Sequence, residues 1–271
     1  SALTSIALMI GMLLTWGDGA PSILRRDSIQ LGVAAASAGL IYLEPGFLLT
    51  AAAGIVLFAI LYNRLDLGLM LVVFYAPFFL FPVELFQFAF PMAELLMLLT
   101  AGAWLLRVTA EWGRNRQSDV SHLSGAHLAD GLRRLTLLDW AVGGWLVLAV
   151  VSLTWAQQRG PALTELRTLV LEPVLFYVVL RTTRLDRRAL QRLVDALVLS
   201  CVLVALIGLL QYAQGVGVVA EDGARRLVSV YGSPNNVGLL LGRVIPFALA
   251  MILVPLDRTR RVLAGAALLI I

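Results

Sequence analysis

Apolar runs about as long as a bilayer is thick follow one another along most of this chain. They lie at roughly 1–16, 28–43, 47–62, 66–81, 91–106, 137–156, 162–181, 189–213 and 234–256, with one more beginning at 262. A helix crosses ~30 Å of hydrocarbon in ~20 residues, because backbone groups left unpaired in lipid cost several kcal/mol each. The pattern predicts an all-α polytopic transmembrane bundle, a single transmembrane domain of about nine to ten spans in 271 residues. Hydrophobic residues make up 60% of the chain and charged residues 14%, with a mean hydropathy of +0.88, which excludes a soluble globular domain. Pro77, Pro82 and Pro91 punctuate 66–106, so a broken or re-entrant passage is expected there.

The charge pattern bears on orientation and partners. All 21 basic residues are Arg, in short clusters between apolar runs rather than along one face, which points to a membrane protein and away from nucleic acid. Sixteen of them fall in one set of alternate loops: Arg25, Arg26, Arg64, Arg107, Arg114, Arg116, Arg133, Arg134, Arg181, Arg184, Arg187, Arg188, Arg192, Arg258, Arg260 and Arg261. The other set holds Arg159, Arg225 and Arg226, while Arg167 and Arg243 fall within predicted spans. Basic residues near helix ends are retained in the cytoplasm, so loops 107–136 and 182–188 are expected inside and 214–233 outside. Leu185, Ala189, Leu190, Leu193 and Leu197 share a helical face opposite arginines, the pattern of an interfacial anchor leading into the next span.

Several residues have plain readings. Cys201, the single cysteine, lies inside an apolar run and reads as a small packing residue. His122 and His127 stand five apart with no flanking acid or Cys, poor spacing for metal ligands.

The cations on the arginine-poor side ask for a reason. Arg225 and Arg226 open "RRLVSVYGSPNN" at 225–236, a polar stretch between two apolar runs. Either Glu221 and Asp222 neutralise them in a solvated loop, or they form an anion site, since the planar guanidinium fork suits phosphate oxygens. Gly232, Ser233, Pro234 and Asn235 suit a tight turn into a helix, with Ser233 or Asn235 as cap and amides that favour an anion. Ionisable groups within spans are functional candidates because of their cost in lipid. Arg243 stands nine residues past Pro234, ~13 Å down a helix. Glu172 lies at a comparable depth, and Pro173 after it leaves a carbonyl of the preceding turn unpaired. Glu165 and Arg167 lie nearer the outer surface. Glu172 and Arg243 are expected within reach of each other or of a shared polar cavity, either as a structural ion pair or as substrate contacts.

The run Arg226, Ser229, Tyr231, Gly232, Ser233, Pro234, Asn235 resembles the R-x-x-G-x-F-G-x-P-N signature of the O-antigen ligase and polymerase family of bacterial membrane proteins, and "ALTELRTLVLEPVLFYVVL" upstream and "LGRVIPFALAMIL" downstream resemble its layout. The resemblance implies a metal-independent glycosyltransferase without cofactors in the bacterial inner membrane. Such a protein moves a glycan from an undecaprenyl diphosphate carrier to an acceptor glycan or lipid on the outer face. By motif position Arg226 is the catalytic Arg on the diphosphate; from their own charge or polarity and placement, Arg225, Asn235, Arg243, Glu172 and Arg167 are the candidate substrate contacts. Ser229 stands where the signature has Gly, a mild departure. The family's catalytic His lies in a later external loop, so this chain is expected to be part of a longer protein. Two other readings stay open: a secondary transporter of a lipid-linked or anionic solute with Glu172 and Arg243 on its path, and a non-enzymatic membrane subunit of a larger complex.

Overall fold

A computed structural model describes residues 26–85, 88–118, 135–215, 218–221, 224–254 and 257–271, with the backbone alone at 85, 88, 114–118, 218–221, 224 and 225. In chain order the helices and strands are α1 (Asp27–Leu43), α2 (Phe47–Asn63), α3 (Leu65–Tyr75), β1 (Pro82–Leu85), β2 (Phe88–Pro91), α4 (Met92–Ser118), α5 (Leu137–Ser152), α6 (Arg159–Glu165), α7 (Glu172–Thr182), α8 (Arg187–Ala213), β3 (Val218–Glu221), β4 (Ala224–Leu227), α9 (Pro234–Leu253) and α10 (Arg258–Ile270). The fold is all-α, with two short antiparallel hairpins, β1–β2 and β3–β4, among the described residues.

Four described helices are long and apolar enough to cross a bilayer: Met92–Gly113, Leu137–Trp155, Arg187–Ala213 and Pro234–Leu253. A fifth is counted if α2 and α3, bent by 120° about Arg64, are taken as one broken span. This is the pattern of a multi-pass membrane protein, but the expected nine to ten spans are not found. The reason is length: α1 has 17 residues and α3 and α7 have 11 each, short of the ~20 that a crossing takes. The run at 1–16 lies outside the described residues. The break expected in 66–106 is real: α3 ends in a 3₁₀ turn at Ala76–Phe78, and a hairpin pairing Pro82 with Pro91 separates it from α4. In the other direction, α4 continues as helix to Ser118, well into the stretch predicted as loop.

The described residues form two compact units, one from 26–96 with Leu185–Ile271, the other within Met97–Arg184. In the first, α1 pairs with α2, while α8 packs along α3, α9 and α10. Its core includes Leu57, Leu61, Leu67, Leu69, Cys201 and Val204, all fully buried, so Cys201 has the packing role expected of it. Between helices in lipid such contacts gain by close packing rather than by escape from water.

The same unit gathers arginines at one end. Arg64, at the α2–α3 junction, grips Asp66 through Nε and Nη2 at 2.9 Å each and reaches Asp27 at the head of α1 at 2.7 Å. Arg192 adds contacts of 3.5 Å to both acids, which ties in the first turns of α8. Arg260 of α10 holds Asp195 of α8 at 2.9 Å. Three loops predicted to share one side of the membrane therefore meet at one end of the unit. From there α8 runs 27 residues, ~40 Å, to Ala213 and the β3–β4 hairpin.

In the second unit, Thr136 and Asp139 close a capping box at the head of α5: the Asp139 carboxylate accepts from the Thr136 backbone N–H at 2.6 Å, and the Thr136 hydroxyl accepts from the Asp139 N–H at 3.4 Å. The Tyr177 hydroxyl donates to Asp139 Oδ1 at 2.5 Å and Arg181 Nε lies 3.4 Å from it, fixing α7 against α5.

Candidate functional site

Arg226 sits on β4, where its backbone lies opposite Val219, with an exposed side chain. Arg225, one place earlier and opposite Ala220, is described by its backbone alone. The Glu221 side chain and Asp222, expected to neutralise the pair, lie outside the described residues.

The chain after Arg226 is fixed to the C-terminal half of α8. Ser229 is 8% exposed and has φ +51°, the left-handed region that side chains other than Gly, Asn and Asp avoid. Its hydroxyl donates to the Val204 carbonyl at 2.5 Å, and its own carbonyl accepts from Gln211 Nε2 at 3.3 Å. Gly208 eases this approach: a Cβ built there would stand 3.2 Å from Ser229 Cβ, tighter than nine in ten real contacts. Val230, Val204 and Val237 then close a small core flanked by Phe78, Ile207 and Tyr231. The Tyr231 ring packs on Phe79 with centroids 5.8 Å apart, and burial pushes its phenol up from the ordinary tyrosine range. A polar loop by composition is thus an anchored corner.

The turn into α9 is present, but its cap differs from the expectation. Ser233 is the N-cap residue, in extended backbone with Pro234 at the first helical position, yet its side chain makes no capping hydrogen bond. Its carbonyl accepts from the Asn236 N–H at 3.2 Å instead. Asn235 lies exposed in the first turn, where the helix is already under way, so it is not the cap either. Arg243 follows along α9 with an exposed side chain.

Glu172 and Arg167 belong to the second unit, Arg226 and Arg243 to the first. Glu172 opens α7 and is half-buried. The six residues before it, Leu166–Leu171, form a π-helical turn containing Arg167, and the Glu172 N–H donates to the Arg167 carbonyl, five residues back. Pro173 explains the widening: it lacks an N–H for the Leu169 carbonyl, and its ring crowds the turn before it. π-Turns inside helices concentrate at functional positions, a feature that only Pro173 signals in the sequence. His122 and His127 lie outside the described residues. Compared with known families, characterised proteins and solved structures, the chain matches none.

Proposed function

We propose that this protein is a membrane glycosyltransferase that moves a glycan from an undecaprenyl diphosphate carrier to an acceptor on the outer face of the inner membrane, in the manner of O-antigen ligases and polymerases. The observation that carries the reading is Ser229. The signature has glycine where this chain has serine, and the φ of +51° there is one that glycine adopts without strain. A serine that keeps a glycine conformation supports reading the segment as that motif. The anchored Ser229 follows Arg226 by three residues and leads into the start of α9, which offers amides, at the end of the first unit that the arginine count leaves poor in cations.

Cleaving a sugar–diphosphate bond builds negative charge on the departing diphosphate. A guanidinium held where that charge develops stabilises it, and its fork reaches two phosphate oxygens at once. Arg226 takes this role, with the α9 amides beside it and Arg243 further along the helix on the substrate's path.

The test is glycan transfer from a purified undecaprenyl diphosphate-linked donor by the protein in nanodiscs, with EDTA present. Arg226→Ala is expected to slow transfer by ~10²-fold, the loss typical of one oxyanion-hole donor. Arg226→Lys keeps the charge without the fork and is expected to fall between the two. Wild-type turnover by a folded Arg226→Ala protein would refute the assignment.

A further inference from the structure

At the arginine-rich end of the first unit, α8 and α9 part to leave a cleft of about 250 Å³ between the first turns of α8 and the last turns of α9. Its walls are apolar: Leu190 and Val194 on one side, Phe247, Met251 and Val254 on the other. Three of these large side chains, Leu190, Phe247 and Val254, are more than 40% exposed. Polar groups stand only at its rim. Arg260 on α10 is held in place there, donating to Gln191 Oε1 at 2.6 Å and to Asp195 Oδ2 at 2.9 Å. Its charge is matched by Asp195, which leaves Arg187, the first residue of α8, as the exposed lining cation not committed to an acid among the described residues.

The surroundings carry the same sign: residues 184–195 and 257–261 hold seven arginines against three aspartates. Cations at the head of a span over an apolar slot match an amphiphile with an anionic head. Basic pockets between helices on the cytoplasmic side recognise acidic headgroups, each arginine near the surface attracting them by ~1 kcal/mol. The cleft is smaller than the ~300–1,000 Å³ sites that enclose drug-sized ligands, so it takes part of a molecule whose remainder stays in the bilayer. From Arg187 to Val194 the slot follows the helix for ~10 Å toward the membrane interior.

We propose that this cleft binds one anionic phospholipid of the cytoplasmic leaflet, its phosphate on Arg187 and an acyl chain along Leu190, Val194, Phe247 and Met251. The site is separate from the Arg226 corner and stands whether or not the protein transfers glycans. Because it bridges α8, α9 and α10, a bound lipid holds together the three helices on which the outer corner is built.

Native mass spectrometry of the purified protein in detergent tests this, using phosphatidylglycerol, phosphatidylcholine with the same chains, and soluble glycerol phosphate as probes. One phosphatidylglycerol is expected to bind at least about fivefold more tightly than phosphatidylcholine, and Arg187→Gln should remove that preference, the factor one such arginine accounts for. Leu190→Trp, which narrows the slot and leaves every charge in place, should lower retention of both lipids. Arg187 and Leu190 are exposed, so both variants are expected to fold, and thermal midpoints check that. Equal affinity for the two lipids, or wild-type preference in Arg187→Gln, would overturn the proposal. So would displacement of phosphatidylglycerol by glycerol phosphate, which marks a headgroup site without a chain slot, or wild-type retention in Leu190→Trp.

Discussion

Ser229 carries two opposed effects in one residue. Its left-handed backbone is costly for a side chain with a Cβ, while its buried hydroxyl has the Val204 carbonyl as partner. Ser229→Ala keeps the first and loses the second, so it is expected to destabilise the protein by about 1–2 kcal/mol, read as a lower thermal midpoint in detergent. Ser229→Gly loses the same bond but relieves the backbone, and the two changes are expected to cancel to within about 1 kcal/mol. Ala less stable than Gly at this position is the expected order, and the reverse would show that the left-handed backbone is not what the site demands. Successive residues on a strand face opposite sides of it, so Arg225→Ala is expected to reduce transfer less than Arg226→Ala. The motif was readable at this scale because its residues are contiguous. The corner was not, because Gly208, Val204 and Gln211 that fix Ser229 lie some 20 residues upstream in what reads as an uninterrupted span. The Asp222-Gly223 dipeptide between apolar stretches was a hairpin signal in plain view.

Among elements, the α2–α3 junction shows one cation meeting two acids where the chain bends by 120°. Arg64 is held well above its ordinary value by its hydrogen bond to Asp66, and Asp27 is lowered from its ordinary value by its hydrogen bond to Arg64. Asp66→Asn, which breaks a two-point grip on a largely buried acid, is expected to cost about 1.5–3 kcal/mol in chemical denaturation. Asp27 is more exposed, and its contribution is expected to stay under about 1 kcal/mol. A carboxylate whose folded pKa is depressed contributes above its unfolded pKa, ~4, and loses that contribution as pH falls through the folded value. The stability gap between wild type and Asp27→Asn should therefore be constant from pH 7 to about 5 and close on acidification below ~4; a gap that widens on acidification would contradict the ion pair. The boundaries of α1, α2, α5, α8 and α9 were legible to within a few residues, because long apolar runs form helices whatever surrounds them. Pro77, Pro82, Pro91 and Pro173 marked where helices would be disturbed, but not the form each disturbance takes: a 3₁₀ turn, the β1–β2 hairpin and a π-turn, which depend on how the chain around each proline packs.

At the scale of the molecule, helix length explains the span count: α1, α3 and α7 are apolar enough to read as crossings and too short to be counted as such. The loop charges proved more informative than the lengths. Arginines 64, 192 and 260 come from three segments assigned to one side by the positive-inside rule, and they converge at one end of the first unit, with the β3–β4 hairpin at the far end of α8. An outward-facing Arg226 is the condition on which the proposed glycan transfer rests, since the lipid-linked donor is used on that face. Cysteine labelling in intact cells measures it most directly. In a Cys201→Ala background, a thiol reagent that does not cross the membrane should modify Asp222→Cys and leave Val120→Cys unmodified until the cells are opened. Labelling of residue 120 but not residue 222 in intact cells would contradict the account.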